Sequence, residues 1–169
     1  NKESNSSAPS VNLDSASVPS VSREDAIKSS QRIKFENSNV EGSIALKGGL
    51  IDDITFKNYN ETLQNDKRVT YLNPSETNDG YFIETGWAAS NIKKIPLPDK
   101  NTLWKIRGNN KLSYGSPVII EWDNKSGLIF KKKIELDDKF LFRITQEIQN
   151  KSNEVVELYP YAQITRNQK

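Results

Sequence analysis

From Leu128 to Ile148, large apolar side chains recur mostly at every second position: Leu128, Phe130, Ile134 and Leu136, then Phe140, Phe142, Ile144 and Ile148. Successive side chains of an extended chain point to opposite faces, so this spacing sets one wall against a core and the other in water. The second wall carries Lys131, Lys133, Glu135, Arg143, Thr145, Glu147 and Gln149. A helix would need a period of 3.6, which this stretch does not supply. Pro117–Trp122 precedes it and Val155–Arg166 follows. The intervening segments, Asp123–Gly127, Asp137–Lys139 and Lys151–Asn153, are rich in turn-forming residues. Residues 117–166 therefore read as four consecutive strands of an antiparallel meander.

The same reading extends upstream. Arg32–Glu36 alternates through Ile33 and Phe35, and Val40–Lys47 through Ile44 and Leu46. Gly48-Gly49 can take the positive φ angles of a tight hairpin, and Leu50–Tyr59 returns with Leu50, Ile54 and Phe56 on one face. Asn60–Lys67 is a polar loop, Arg68–Leu72 a short strand stopped at Asn73-Pro74, and Tyr81–Thr85 a strand opened by Asn78-Asp79-Gly80. Gly86–Asp99, broken by Pro96 and Pro98, reads as irregular, and Leu103–Arg107 as one more short strand. Nine or ten short strands without a sustained helix predict an all-β fold, an antiparallel β-sandwich. Residues 1–30, rich in Ser, Asn and Pro and free of aromatics, predict a flexible polar linker. Within it Ser22 and Asp25 form a capping-box pattern that allows one helical turn at Arg23–Lys28. Residues 31–169 form the folded part.

Composition narrows function more than it suggests one. The chain has neither Cys nor His. Imidazole is the commonest general base near neutral pH and, with thiolate, the usual zinc ligand. Ser-His-Asp triads, Cys-His dyads and ordinary zinc sites are therefore excluded. No enzyme activity, catalytic residue, metal site or cofactor is expected. The net charge is +2 with acidic and basic residues interleaved, so no nucleic-acid footprint is present. No run reaches the 18 or more apolar residues of a membrane-spanning helix. A start at Asn1 rather than Met, and an end just after a strand, suggest a piece of a longer protein.

Each polar constellation has a structural explanation. Asp52 and Asp53 are neighbours on a strand and should point to opposite faces, so they should not converge as catalytic carboxylates must. Asp137-Asp138 and the oxygen-rich Asp123-Asn124-Lys125-Ser126-Gly127 read as hairpin turns, Lys125 placing a cation where a calcium loop needs acceptors. In Lys131-Lys132-Lys133 the middle lysine has apolar parity, which suits an inward side chain snorkelling at a sheet edge. The triple also allows contact with anionic lipid. Trp87, Trp104, Trp122, Tyr81, Tyr114, Tyr159 and Tyr161 could line a groove for sugar or peptide, with Trp87 the most exposed candidate. Asn60-Glu61-Thr62 matches a glycosylation sequon, which has meaning only in a eukaryotic secretory route.

Taken as an ordered set, VEGSIALKGGLIDDITFKNY, RVTYLNP, GYFIETGW and SPVIIEWDNKSGLIFKKKIELDDKFLFRITQEIQNKSNEVVELYPYAQITRN resemble the large periplasmic domain of bacterial YidC membrane protein insertases. The resemblance implies a β-supersandwich, related in shape to sugar-binding and aldose-epimerase domains, joined by a polar tether to an N-terminal transmembrane helix. It implies a role in inserting and folding bacterial inner-membrane proteins, alone or with the Sec translocon. The partners would be nascent membrane proteins and Sec subunits, with this domain facing the periplasm. It assigns the insertase work to a five-helix membrane core outside this chain, so no functional residue is carried over. It also leaves the anchor and roughly the second half of the periplasmic domain outside, which predicts a marginal or self-associating fragment with weak hydrogen-exchange protection. A carbohydrate-binding sandwich module is the alternative.

Overall fold

A computed structural model of the chain describes residues 21–89 and 95–167. The first twenty residues of the expected linker, and 90–94 of the segment expected to be irregular, lie outside the described residues. The elements are α1 (Arg23–Lys28), β1 (Arg32–Glu36), β2 (Val40–Ala45), β3 (Leu50–Asn60), β4 (Arg68–Leu72), β5 (Tyr81–Ala89), β6 (Lys105–Arg107), β7 (Lys111–Leu112), β8 (Val118–Asp123), β9 (Leu128–Leu136), β10 (Phe142–Asn150) and β11 (Leu158–Arg166). They form an all-β sandwich. One sheet runs β11-β5-β3-β2-β1-β7, with β4 also pairing β3, and the other runs β10-β9-β8-β6.

The alternation predicted for Leu128–Ile148 sets the second sheet. Phe142 lies opposite Leu136, Ile144 opposite Ile134 and Ile148 opposite Phe130, all on the inner wall. On the outer wall Glu135 faces Arg143 and Lys131 faces Glu147, so opposite charges meet directly across the strands. The core forms where this inner wall meets the other sheet. Phe130, Ile134, Val118 and Ile120 pack with Ile33, Phe35, Ile44 and Ile51, all at most 2% exposed. The Phe35 and Phe142 rings meet edge to face, 5.1 Å between centroids.

The meander ends one strand earlier than the sequence predicts. β8, β9 and β10 are antiparallel neighbours, but β11 crosses to the other sheet and pairs β5 from Leu158–Ala89 to Arg166–Tyr81. Half-buried alternation is the same on either layer, so it does not say which sheet a strand joins. β5 also runs on to Ala89 through part of the segment expected to be irregular, because β11 supplies its ladder partners.

Gly48 and Gly49 take φ angles of 74° and 65° at the tip between β2 and β3, as the glycine pair predicts. The tip is held by the 102–104 segment: Gly48 N–H donates to the Thr102 carbonyl, and Trp104 N–H to that of Leu46. Gly42 meets a second demand. A Cβ there would lie 1.9 Å from the Asp53 carbonyl oxygen and 2.7 Å from the Phe35 ring, so only glycine lets β2 lie this close to β3.

Candidate contact surface and the buried polar groups

The carboxylate pair departs from its expected geometry. Between β2 and β3 the register runs Ser43–Asp53, then Ile44–Ile51, which leaves Asp52 without an opposite residue. This β-bulge restores the apolar phase, so Ile51 and Ile54 both reach the core. It also turns Asp52 and Asp53 together into one network on the outer side of the sheet. Arg32 donates through Nη2 to Asp52 and through Nε to Ser43 Oγ at 2.7 Å, and Ser43 Oγ donates to Asp53 Oδ2 at 2.5 Å. Arg23 of α1 closes the set as an ion pair with Asp53. Two carboxylates are thus matched by two guanidinium groups. Asp52 is nearly inaccessible, and burial pushes its carboxyl up to about 6 against the opposing pull of Arg32.

Residues 23–28, which the sequence reads as one optional turn within a tether, form that turn and cover this network. Ser22 caps it, its Oγ accepting from the Asp25 N–H at 3.1 Å, and Ala26 is buried against the sheet. Alternation alone predicts opposed aspartates; the single extra residue of the bulge overturns that prediction.

Lys132 is likewise corrected. β9 lies inside its sheet rather than at an edge, and the lysine does not snorkel: it is 1% exposed between the layers. Its Nζ donates to the Thr85 carbonyl at 2.7 Å and sits 4.7 Å from the centre of the Trp104 ring. Gln146, its cross-strand neighbour, donates to the next carbonyl, Gly86, at 2.8 Å. Together the two side chains tie β9 and β10 to β5. Burial lowers the Lys132 ammonium to about 8, with Glu84 opposing weakly. Between pH 8 and the ordinary lysine value of 10.5, the unfolded chain therefore holds a proton that the folded chain has released. Lys132 therefore contributes a rise in stability with pH across that window, on the order of 3 kcal/mol. In urea unfolding the wild type should gain stability relative to the Lys132→Met variant as pH rises through this window; equal slopes would contradict the burial argument.

The two turns expected from their Asp and Asn content form with local hydrogen bonds. Asp137 Oδ1 accepts from the N–H groups of Lys139 and Leu141, and Asn124 Oδ1 from those of Ser126 and Leu128. Lys125 and Gly127 take φ angles of 59° and 90°. Lone pairs that could have faced a cation are spent on the backbone.

The aromatic residues separate differently from the expectation. Trp87, expected to be the exposed one, is 5% exposed in β5, with Trp104 at 6.4 Å and Phe130 at 5.0 Å. β5 continues through it, so its side chain falls on the core wall. Trp122 is half-buried beside Phe130, and Tyr161 lies over Gly86 with its hydroxyl donating to Glu84 at 3.1 Å. No exposed tryptophan platform for a sugar is formed by these residues.

Tyr114, Tyr159 and Tyr161 of the expected set are exposed, and a further exposed aromatic cluster lies at the far end of β3, from Phe56 opposite Val40 onward. Phe56 there contacts Tyr59, Tyr71 and Phe140 at 5.8, 5.2 and 5.7 Å, and Tyr71 reaches Tyr81 at 5.7 Å. Phe56, Tyr59, Val69 and Phe140 line an open apolar cleft of about 390 Å³. Tyr59, Tyr71 and Phe140 are about half exposed, and Leu63 stands free on the adjoining loop. Phe56 and Phe140 have core parity in the sequence, and Tyr59 and Tyr71 are not among the residues expected to line a groove. The available signal was that β3 is longer than β2, so its far end has no neighbour on one side. Weakly polar, aromatic and shallow, the cleft suits contact with another macromolecule better than enclosure of a small substrate.

The sequence matches known proteins along nearly its whole length. The family described as the YidC periplasmic domain matches residues 32–169. A membrane protein insertase YidC of Pelagibacter ubique is 45% identical over 166 residues, covering 98% of this chain and 29% of that relative. The insertases of Methylorubrum extorquens and Methylobacterium radiotolerans are each 41% identical, covering 96% and 98% of this chain and 26% and 27% of the relatives. The chain thus spans less than a third of the length of these relatives. The match starts at Arg32, the first residue of β1, and takes in every strand of both sheets, so this chain belongs to the YidC periplasmic domain family.

Proposed function

We propose that this chain is part of the periplasmic domain of a membrane protein insertase, where it acts as a non-catalytic surface for contact with other proteins. The observation that carries this reading is the match of residues 32–169 to the YidC periplasmic domain, with 45% identity to a relative named membrane protein insertase. On this reading the whole protein resides in the bacterial inner membrane and this domain faces the periplasm. Its clients are nascent inner-membrane proteins, handled alone or beside subunits of the Sec translocon. No helix among the described residues is long and apolar enough to cross a membrane, and the proposal places membrane attachment in parts of the protein outside this chain. The buried polar groups support a structural rather than a reactive role: Asp52, Asp53 and Lys132 are each held by groups of neighbouring elements. The surface offered for contact is the aromatic cleft around Phe56.

A chimera tests both halves of the proposal. Residues 32–169 replace the matching segment of a full-length relative, with a photo-crosslinking residue at Tyr59 or Phe140, in cells depleted of their own insertase. Insertion of a reporter inner-membrane protein should be retained, with adducts to the reporter or to translocon subunits. Lost insertion by a chimera that accumulates in the membrane would overturn the insertase role. Retained insertion without adducts from either position would overturn the contact surface.

A further inference from the structure

Six residues are too few to hold a helix in isolation, because the first turn fixes several residues for a single hydrogen bond. α1 therefore exists only while it is docked, and its docking is slight. Ala26 is its only buried residue, and it touches each strand at few points. Its polar hold on the sheet is Arg23, which pairs with Asp53 and donates through Nη2 to Thr55 Oγ1 at 3.4 Å. Nε of the same guanidinium is buried without an acceptor, so the docked state leaves one donor unsatisfied.

The network beneath divides cleanly at Arg23. With α1 lifted away, Asp53 keeps the Ser43 hydroxyl and Asp52 keeps Arg32. β1 keeps its ladder to β2, and Leu46 N–H still donates to the Gln31 carbonyl at 3.0 Å, so release ends at Gln31. We infer that residues 22–30 are a strap that docks on the sheet and leaves it as one unit, latched by Arg23 on Asp53. Docked, the strap lies on the outer side of the sheet, its helix about 9 Å long. Released, the same residues extend to about 30 Å. The strap thus sets how much slack separates the sandwich from residues 1–20. Under the proposed function that slack limits how far the domain stands from the membrane. This consequence rests on the insertase reading; the docking does not.

Hydrogen exchange of the full chain, read by mass spectrometry, tests the strap. In the wild type, amides of residues 25–29 should exchange more slowly than in an unstructured peptide. They should still exchange at least tenfold faster than those of β9, because the strap opens without the sandwich. Arg23→Gln should quicken exchange in α1 about tenfold and leave β9 unchanged. Raising salt to about 1 M should quicken α1 in the wild type and have little effect in the variant, because the latch is an ion pair. Wild-type α1 exchanging at the unstructured rate would overturn the docking, and α1 exchanging as slowly as β9 would overturn its separate release. Unchanged exchange in Arg23→Gln, or an equal salt effect in both chains, would overturn the latch. None of these outcomes depends on insertase activity, so the strap and the proposed function can fail separately.

Discussion

Replacing Arg32 by leucine is expected to lower the unfolding free energy by about 3–5 kcal/mol at neutral pH, the usual cost of stranding a buried charge. Arg32 and Asp52 are both almost inaccessible, with side chains 7% and 2% exposed. Without the guanidinium, Asp52 must ionise unpaired or keep its proton, and Ser43 loses the donor that orients it toward Asp53. The loss should depend on pH. The Asp52 carboxyl is raised from 3.8 to about 6 on folding, so its contribution to stability is fully present below 3.8 and is lost as pH rises through 6. Below pH 4 the carboxyl is protonated with or without Arg32, and the penalty of the substitution should shrink. Adding Asp52→Asn to Arg32→Leu should recover a large part of the loss at pH 7. Urea titrations at pH 4 and 7 measure all of this. A penalty under 1 kcal/mol at pH 7, or one that grows on acidification, would contradict the account.

Truncating Phe130 to alanine should cost about 3–5 kcal/mol, the range for removing a fully buried aromatic ring. Phe130 is 0% exposed and is the residue on which both layers converge. Trp87 of β5 meets it edge-on at 5.0 Å, Trp122 of β8 lies at 5.7 Å, and Ile148 of β10 is its cross-strand partner. These neighbours belong to three strands in two sheets, so the void cannot close by moving one side chain. Near-UV circular dichroism should weaken as the tryptophans lose their fixed contact. Ile119→Ala, on the outer wall of β8 and 37% exposed, should cost less than about 1 kcal/mol. Equal losses for the two variants would mean that the layers do not pack through Phe130.

Much of this architecture is written in local pattern. Period-two spacing from Leu128 to Ile148 sets which wall of β9 and β10 is buried, because side-chain direction in an extended chain depends only on parity. The Gly48-Gly49 turn, the Asx-type turns at Asp137 and Asn124, and the Ser22 cap follow from residues within four positions of one another. The all-β class and the YidC resemblance rest on the same information, and the family match bears the resemblance out. The aromatic cleft was not legible in this way. Phe56 and Phe140 have core parity, and whether a partner covers them depends on where the neighbouring strands stop.

Parity along one strand thus decides inside from outside, and the turn residues decide where the chain reverses. Three features needed the folded layers: the crossing of β11 to pair with β5, the placement of Lys132 beneath Trp104, and the gathering of Asp52 and Asp53 under α1. Each joins residues dozens of positions apart or turns on one unmatched residue in a ladder. A periodic pattern carries no information about which distant strand stands opposite, because every half-buried strand repeats the same alternation.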